Sequence, residues 1–220
     1  MRAMILAAGR GERMGALTAT QPKPLLMIGD RSLIEHHVVR LAASGIDELV
    51  VNLSYRGAEI RERLGDGGRF GVSIEYSDEG EPPLETAGGI VQALPLLGRE
   101  PFLLVNSDIY TDFDFRTLVE GPHVPTLVLV PNPPHNARGD FGLDAGGFVS
   151  AEPPLSTYAG VAIFHPKPFA ELPLGRRPLK PWLDAAIARR ELRGLAYSGL
   201  WLDVGTPERL EAARAAAART

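Results

Sequence analysis

Between residues 2 and 106, short apolar runs and amphipathic stretches take turns. Residues 2–8, 48–53, 72–76 and 101–106 read as strands, the first and last with near-continuous apolar cores. Residues 32–43, 55–64 and 86–97 read as helices between them. In the first helix Leu33, Ile34, Val38, Leu41 and Ala42 recur near helical spacing, with Ser32 as N-cap and Gly45 as the stop. Strands buried on both faces and joined through helices belong in a parallel sheet. The spacing therefore predicts an α/β chain: a single-domain, doubly wound, mostly parallel mixed sheet with helices on both faces.

The second half changes character. Residues 125–130 and 161–164 read as strands, 131–158 as a loop region rich in Pro, Gly, Asn and Asp. Lys180 to Arg190 reads as a helix with Pro181 in its first turn; 195–197 and 200–204 read as strands closing the sheet. A last helix runs to Arg219 with Thr206 as N-cap and Pro207 at the first position. No repeat or linker interrupts the 220 residues, so one domain is expected over 1–220.

The first strand flows into Met4-Ile5-Leu6-Ala7-Ala8-Gly9-Arg10-Gly11-Glu12-Arg13-Met14, and a loop later comes Pro22-Lys23-Pro24-Leu25. A strand that exits through Gly-x-Gly lets backbone approach a ligand, and unpaired N–H groups there suit phosphate. Arg13 can fork onto phosphate oxygens; Lys23 is a compact charge on a backbone stiffened by two prolines. The string is neither the dinucleotide fingerprint, since Met14 stands at the third glycine position, nor a P-loop. Taken alone, the glycine pair equally suits a tight turn with solvated cations.

Asn106-Ser107-Asp108 ends one apolar strand and Asp203 another, where an open α/β sheet has its ligand crevice. Two such carboxylates could meet and hold Mg²⁺. Asp108 also suits a turn cap, and Asp203 an Asx turn before Gly205. Asp112 and Asp114 read as a solvated turn. A net charge of -4 gives no global pull towards nucleic acid or anionic membrane, so a phosphate site must be local. The absence of cysteine excludes disulfides and thiolate metal sites. No apolar run reaches membrane-spanning length and no leader is apparent, so a cytoplasmic protein is expected. The five histidines form no metal constellation: His36 and His37 point to different helix faces, and His123, His135 and His165 are scattered. Trp182 and Trp201 are expected to pack in the core or an interface.

Leu6-Ala7-Ala8-Gly9-x-Gly11-Glu12-Arg13-Met14, closed by Pro22-Lys23-Pro24-Leu25, resembles the signature of the sugar-1-phosphate nucleotidyltransferases. The resemblance covers nearly the whole chain and implies a Rossmann-like, GT-A-like fold. It implies a nucleotide-binding half over 1–110 and a sugar-phosphate-binding half over 111–220. The implied reaction joins an NTP and a sugar 1-phosphate, giving NDP-sugar and pyrophosphate. By the same resemblance Arg13 and Lys23 are the catalytic cations. Asp108 and Asp203, in Trp201-x-Asp203-x-Gly205-Thr206, would be metal ligands for Mg²⁺ or Mn²⁺. Leu6, Ala7, Ala8, Gly9, Gly11, Glu12, Gly88 and Asn106 would line the nucleotide site.

Glu79 to Gly89 resembles the family's base-recognition loop, with Glu85 where Gly is usual. Arg138-Gly139-Asp140-Phe141-Gly142 corresponds to the segment under the sugar, which places Asp140, Gly142 and Thr157 at the acceptor. Asp140 reads equally as an ordinary loop aspartate. Two departures mark the acceptor side: Glu152-Pro153-Pro154 replaces the usual Glu-Lys-Pro, and Tyr158-Ala159-Gly160 the usual Asn-Ala-Gly. The acceptor side is thus unlike that of the glucose-1-phosphate thymidylyltransferases; in Arg138-Gly139-Asp140-Phe141, in Glu85-Thr86-x-Gly88-Gly89-Ile90 and in lacking a hexapeptide-repeat tail, the chain is more similar to the N-acetylmuramate-1-phosphate uridylyltransferases of peptidoglycan recycling. That implies UTP and N-acetylmuramate 1-phosphate, with Arg138 the nearest cation for a lactyl carboxylate. Mannose- or heptose-1-phosphate guanylyltransferases are the alternative, as is a nucleotide-sugar-binding module without turnover. Partners are expected to be small substrates, with the chain a monomer or weak homo-oligomer.

Overall fold

Strand β1 (Arg2–Leu6) lies at the centre because every residue inside it is apolar and both its faces can be covered. Ala3 and Ile5 point into one apolar cluster and Met4 into another, as the two-residue strand period requires. The structure, a computed structural model, describes residues 1–219. After β1 come α1 (Ala16–Ala19), the small hairpin β2 (Met27–Ile28) and β3 (Arg31–Ser32), and α2 (Leu33–Ala43). β4 (Glu48–Leu53), α3 (Gly57–Leu64), β5 (Ser73–Asp78), α4 (Glu85–Leu97), β6 (Phe102–Asn106) and β7 (Ile109–Thr111) follow. Then come α5 (Arg116–Val119), β8 (Thr126–Val130), β9 (Phe141–Leu143), β10 (Val149–Ser150) and β11 (Leu155–Phe164). The chain closes with α6 (Pro166–Ala170), α7 (Lys180–Ala188), β12 (Arg193–Ala196), β13 (Trp201–Asp203) and α8 (Pro207–Ala217).

The main sheet has nine strands and a path β10-β9-β11-β6-β1-β4-β5, with β8 branching from β11 and β12 pairing with β8. β5, β4, β1 and β6 are mutually parallel, so their carboxyl ends open at one edge. The second half joins through β11, antiparallel to β6, β8 and β9. The sheet is thus parallel where strand and helix alternate, and mixed beyond. Helix α2 covers one face with Ile34, Val38 and Leu41; α4 covers the other with Ala87, Ile90 and Ala93. Phe102, Phe164 and Phe169 are fully buried beside Trp182, which stacks on Phe169 at 4.6 Å. Each such phenylalanine contributes about 1.5–3 kcal/mol.

Two departures from the sequence expectations concern the second half. Residues 131–158 are not all loop: they hold β9, β10 and the start of β11, strands too short or too polar to show a period. β11 bulges near Gly160, whose φ of 74° and close approach to Asn106 exclude a side chain there. The stretch 200–204 does not close the sheet. β13 leaves it to pair with β7, which places Asp203 opposite Ile109. A third apolar cluster, with Met14, Leu26, Ile28, Tyr110, Val204 and Leu210, ties the loop after β1 and this small β-pair to α8.

Ser32 and Glu35 form the capping box that starts α2, and Glu35 does more. It is buried and accepts from Arg63 at 2.9 and 3.0 Å and from Arg69 at 2.6 Å. Burial works to raise its pKa, but the hydrogen bonds from Arg63 and Ser32 outweigh burial and bring it from 4.5 down to about 2. A depressed carboxyl pKa stabilises the fold above the unfolded value and loses that contribution as pH falls towards the folded one. Glu35→Gln is expected to cost about 1–3 kcal/mol at pH 7. Urea unfolding should show the difference from the parent shrinking between pH 4.5 and pH 2; a constant difference contradicts this account.

Candidate active site

The turn after β1 is built to leave backbone open. Ala7 and Ala8 are buried and Gly11 has a φ of 67°, where a side chain would also press on the Cβ of Lys23. The Thr18 hydroxyl donates to the Gly11 carbonyl at 3.0 Å and holds the turn. Lys23, between its prolines, is 6% exposed and extends along the turn to Asp108 Oδ2 at 2.7 Å. Asp108 follows β6, and the Ser107 N–H donates to the Leu6 carbonyl, which splices the ends of β1 and β6.

Across these strand ends runs a cleft of about 750 Å³. Leu6, Ala7, Ala8, Gly9, Gly11, Glu12, Arg13, Lys23, Asn106 and Asp108 all line it, as the sequence implied. At its far end stand Asn52, Glu79, Pro82, Pro83, Glu85, Thr86 and Arg176. Asn52 accepts from Ala7 N at 2.7 Å and donates to Glu79 Oε1 at 2.6 Å, while Glu79 Oε2 accepts from Leu84 N at 2.7 Å. Burial raises the Glu79 carboxyl above its ordinary value, against the opposing effect of those hydrogen bonds. This chain of bonds braces the loop before α4 against β1.

A second cleft, about 330 Å³, shares Arg13, Asn106 and Asp108 with the first and adds His135, Asp140, Thr157, Tyr158, Trp201 and Asp203. Asp140 lines it while accepting from Asn136 and from Tyr158 N. The Thr157 hydroxyl donates to Asn132 and accepts from Asn136. The Tyr158 hydroxyl is buried and has no hydrogen-bond partner among the described residues. Trp201 is half-buried and lines the cleft, its indole N–H donating to Ala159 at 2.8 Å, so it is more than a packing residue.

Asp108 and Asp203 both line the smaller cleft and lie on adjacent backbone at the β7–β13 pair, where Val204 N donates to the Asp108 carbonyl at 2.8 Å. Neither carboxylate caps a local turn. Asp203 Oδ2 lies 2.8 Å from Arg209 Nη1 and 3.2 Å from His135 Nε2. Its Oδ1 is buried without a hydrogen-bond partner, an oxygen suited to a hard cation. Among the described residues no three His, Cys, Asp or Glu side chains gather around a metal position. A cation here would rest on the two aspartates and on oxygens of a bound ligand, as Mg²⁺ commonly does. Asp112 accepts from the Tyr197 hydroxyl and Asp114 from Arg116, and neither lines a cleft.

Three sequence-derived candidates fall outside both clefts. Gly88 spends its N–H on the Arg177 carbonyl, and its missing side chain makes room for the Gly175 carbonyl. Gly142 is a packing glycine under the Glu152 carbonyl. Arg138 is exposed and lines neither cleft. Sequence reading missed Asn52, His135, Arg176 and Arg209. Asn52 carries the same signal as Asn106, a polar residue at the carboxyl end of a parallel strand. His135 and Arg176 reach the site only through long-range folding, and Arg209 follows Asp203 by six residues in the first turn of α8.

A family model described as Nucleotidyl transferase matches residues 2–138. N-acetylmuramate alpha-1-phosphate uridylyltransferase of Neisseria meningitidis serogroup B is 46% identical over 99% of this chain and 98% of its own length. Mannose-1-phosphate guanyltransferase of Hypocrea jecorina is 31% identical over 94% of this chain and 62% of its own. Among solved structures, a Bacillus anthracis protein in complex with sucrose superposes with a TM-score of 0.86 at 22% identity, over 99% of this chain and 95% of that one. HddC from Yersinia pseudotuberculosis, complexed with GMP-PN, gives 0.80 at 18% identity over 98% of each chain. The two structures share the fold of this chain. The family match spans more than half of the sequence and the Neisseria relative aligns with it from end to end, so the chain belongs to the nucleotidyl transferase family.

Proposed function

We propose that this protein transfers a nucleotidyl group from UTP to N-acetylmuramate 1-phosphate, releasing pyrophosphate and forming the UDP-sugar. The observation that carries the reading is the meeting of two clefts at Arg13, Asn106 and Asp108, in a chain nearly half identical to a uridylyltransferase of that specificity. The larger cleft, built mainly from residues 1–110, would take the nucleotide. The smaller, built mainly from 111–220, would take the sugar phosphate. The longer fungal guanyltransferases supply the alternative pair, GTP and mannose 1-phosphate.

In this mechanism a phosphate oxygen of the sugar phosphate forms a bond to the α-phosphorus of the NTP while the bond to the β-phosphate oxygen breaks. The nucleophile is already an anion, so no general base is required; positioning and charge neutralisation do the chemistry. Arg13, at the mouth of both clefts, would hold the β- and γ-phosphates. Lys23 would sit between the α-phosphate and the incoming phosphate, exchanging its contact with Asp108 for one with substrate. Asp108 and Asp203 would hold Mg²⁺ or Mn²⁺, and a divalent ion there supplies charge that lets two anions approach. Asn106 and Thr86 complete the rim of the larger cleft, and Trp201 offers an aromatic wall to the sugar. No helix among the described residues is long and apolar enough to cross a membrane. A cytoplasmic monomer or weak homo-oligomer working in peptidoglycan recycling fits this reading.

Lys23→Ala is expected to lower kcat/KM by about 3–4 kcal/mol, several hundredfold, with a much smaller change in unfolding free energy. Equal kcat in mutant and parent would remove Lys23 from the mechanism. Asp108→Asn and Asp203→Asn should each weaken Mn²⁺ binding measured by calorimetry and abolish turnover; full parent activity in excess chelator would end the metal assignment. Pyrophosphate release with each NTP against each sugar phosphate decides the substrates. A kcat/KM for GTP with mannose 1-phosphate above that for UTP with N-acetylmuramate 1-phosphate rejects the proposed pair.

A further inference from the structure

We infer that Glu85 and Arg176 read the edge of the nucleobase and favour bases that present a carbonyl beside a ring N–H, uracil among them, over cytosine. The inference rests on the nucleotidyl transfer proposed above. The larger cleft crosses the ends of β6, β1, β4 and β5 in that order. Three strand spacings of about 4.8 Å separate the Asp108 end from the Glu79–Thr86 end, roughly 14 Å, which matches an extended nucleotide. With Arg13, Lys23 and the aspartates at the phosphate end, the base falls at the other. Pro82 and Pro83 there offer flat apolar surface, and Glu85 and Arg176 offer polar atoms.

Several other polar groups at that end are already committed. Both oxygens of Glu79 accept hydrogen bonds within the protein, and the N–H groups of Ala87 and Gly88 donate to the Arg177 carbonyl at 3.1 Å. Arg177 N in turn donates to the Leu84 carbonyl at 2.8 Å. The backbones that carry Glu85 and Arg176 are therefore fastened to each other, and the two side chains meet at 2.8 Å.

Glu85 also carries a cost. Its φ is 61°, a region that disfavours any side chain other than glycine's absence of one. An acid in the first turn of α4 suits the helix dipole, but that benefit does not require left-handed backbone. The ion pair is too exposed to offset the strain, with the Arg176 side chain 67% open. A ligand contact accounts for the residue. The carboxylate accepts from a ring N–H and the guanidinium donates to the adjacent carbonyl. Cytosine presents these groups in the reverse order, so the fastened pair would face a lone pair with a carboxylate and an amino group with a cation.

The test measures nucleotide binding by calorimetry and pyrophosphate release, with UTP and CTP and Mg²⁺ present, for the parent, Glu85→Gln and Glu85→Gly. The parent should prefer UTP. Glu85→Gln, whose amide can present either donor or acceptor, should cut the UTP-to-CTP ratio of kcat/KM about tenfold or more. Glu85→Gly should raise Tm by relieving the backbone and lose the same discrimination. Unchanged base preference in both variants of an active parent overturns this inference and leaves nucleotidyl transfer standing. A parent that turns over no NTP with any sugar phosphate overturns both.

Discussion

The ion pair between Lys23 and Asp108 is the contact on which the site depends. A lysine 6% exposed must keep a partner or a hydrogen-bonding shell, because an uncompensated buried charge is costly. The pair joins the proline-stiffened turn at Pro22–Pro24 to the exit of β6, and both clefts share that exit. Gly11 favours it, since a Cβ there would crowd the Lys23 stem at 3.0 Å and sit on left-handed backbone. One position without a Cβ thus helps set where a cation lies beneath two converging pockets.

Much of this was legible because the first half of the chain is buried on both sides of a parallel sheet. β1, β4 and β6 read as apolar runs, and their polar ends fall where such sheets bind ligands. The same reading located Arg13, Lys23, Asn106 and Asp108. It failed where structure is made by pairing rather than by period. β7 and β13 have three residues each, and nothing in Trp201–Asp203 says that it leaves the main sheet. Glycine is ambiguous for a related reason: Gly11 sits in the turn that lines the larger cleft, whereas Gly88 and Gly142 make room for carbonyls of distant segments. Arg176 and His135 carry no local signal, since each reaches its site from a segment remote in sequence from the residues it meets, whereas Arg209 lies only six residues after the Asp203 it pairs with.

The chain is acidic overall, yet a triphosphate needs cations. The structure reconciles the two by geometry rather than composition. Arg13 reaches the rim of both clefts, Lys23 lies at the floor, and Arg209 sits beside Asp203 on the far side. Screening over about 8 Å in physiological salt makes distant acidic residues nearly irrelevant to an anion near Arg13 and Lys23. A net charge of -4 is therefore a statement about solubility and nonspecific contacts, not about the site.

Two carboxylates side by side would repel if both were bare. Here each has its own cation, Lys23 for Asp108 and Arg209 for Asp203, with His135 as a further neighbour of the second. Arg209 comes from the first turn of α8, which Thr206 caps and which Leu210 and Ala213 bury against Met14 and Ile28. The helix that closes the chain therefore anchors both the loop after β1, through apolar packing, and the second aspartate, through an ion pair. Because one rigid element supports both, the separation of the phosphate turn from Asp203 is set by helix packing and not by loop flexibility. That explains why a three-residue β-pair outside the main sheet can hold a carboxylate in register: β13 borrows its rigidity from α8, as β7 borrows its own from β6.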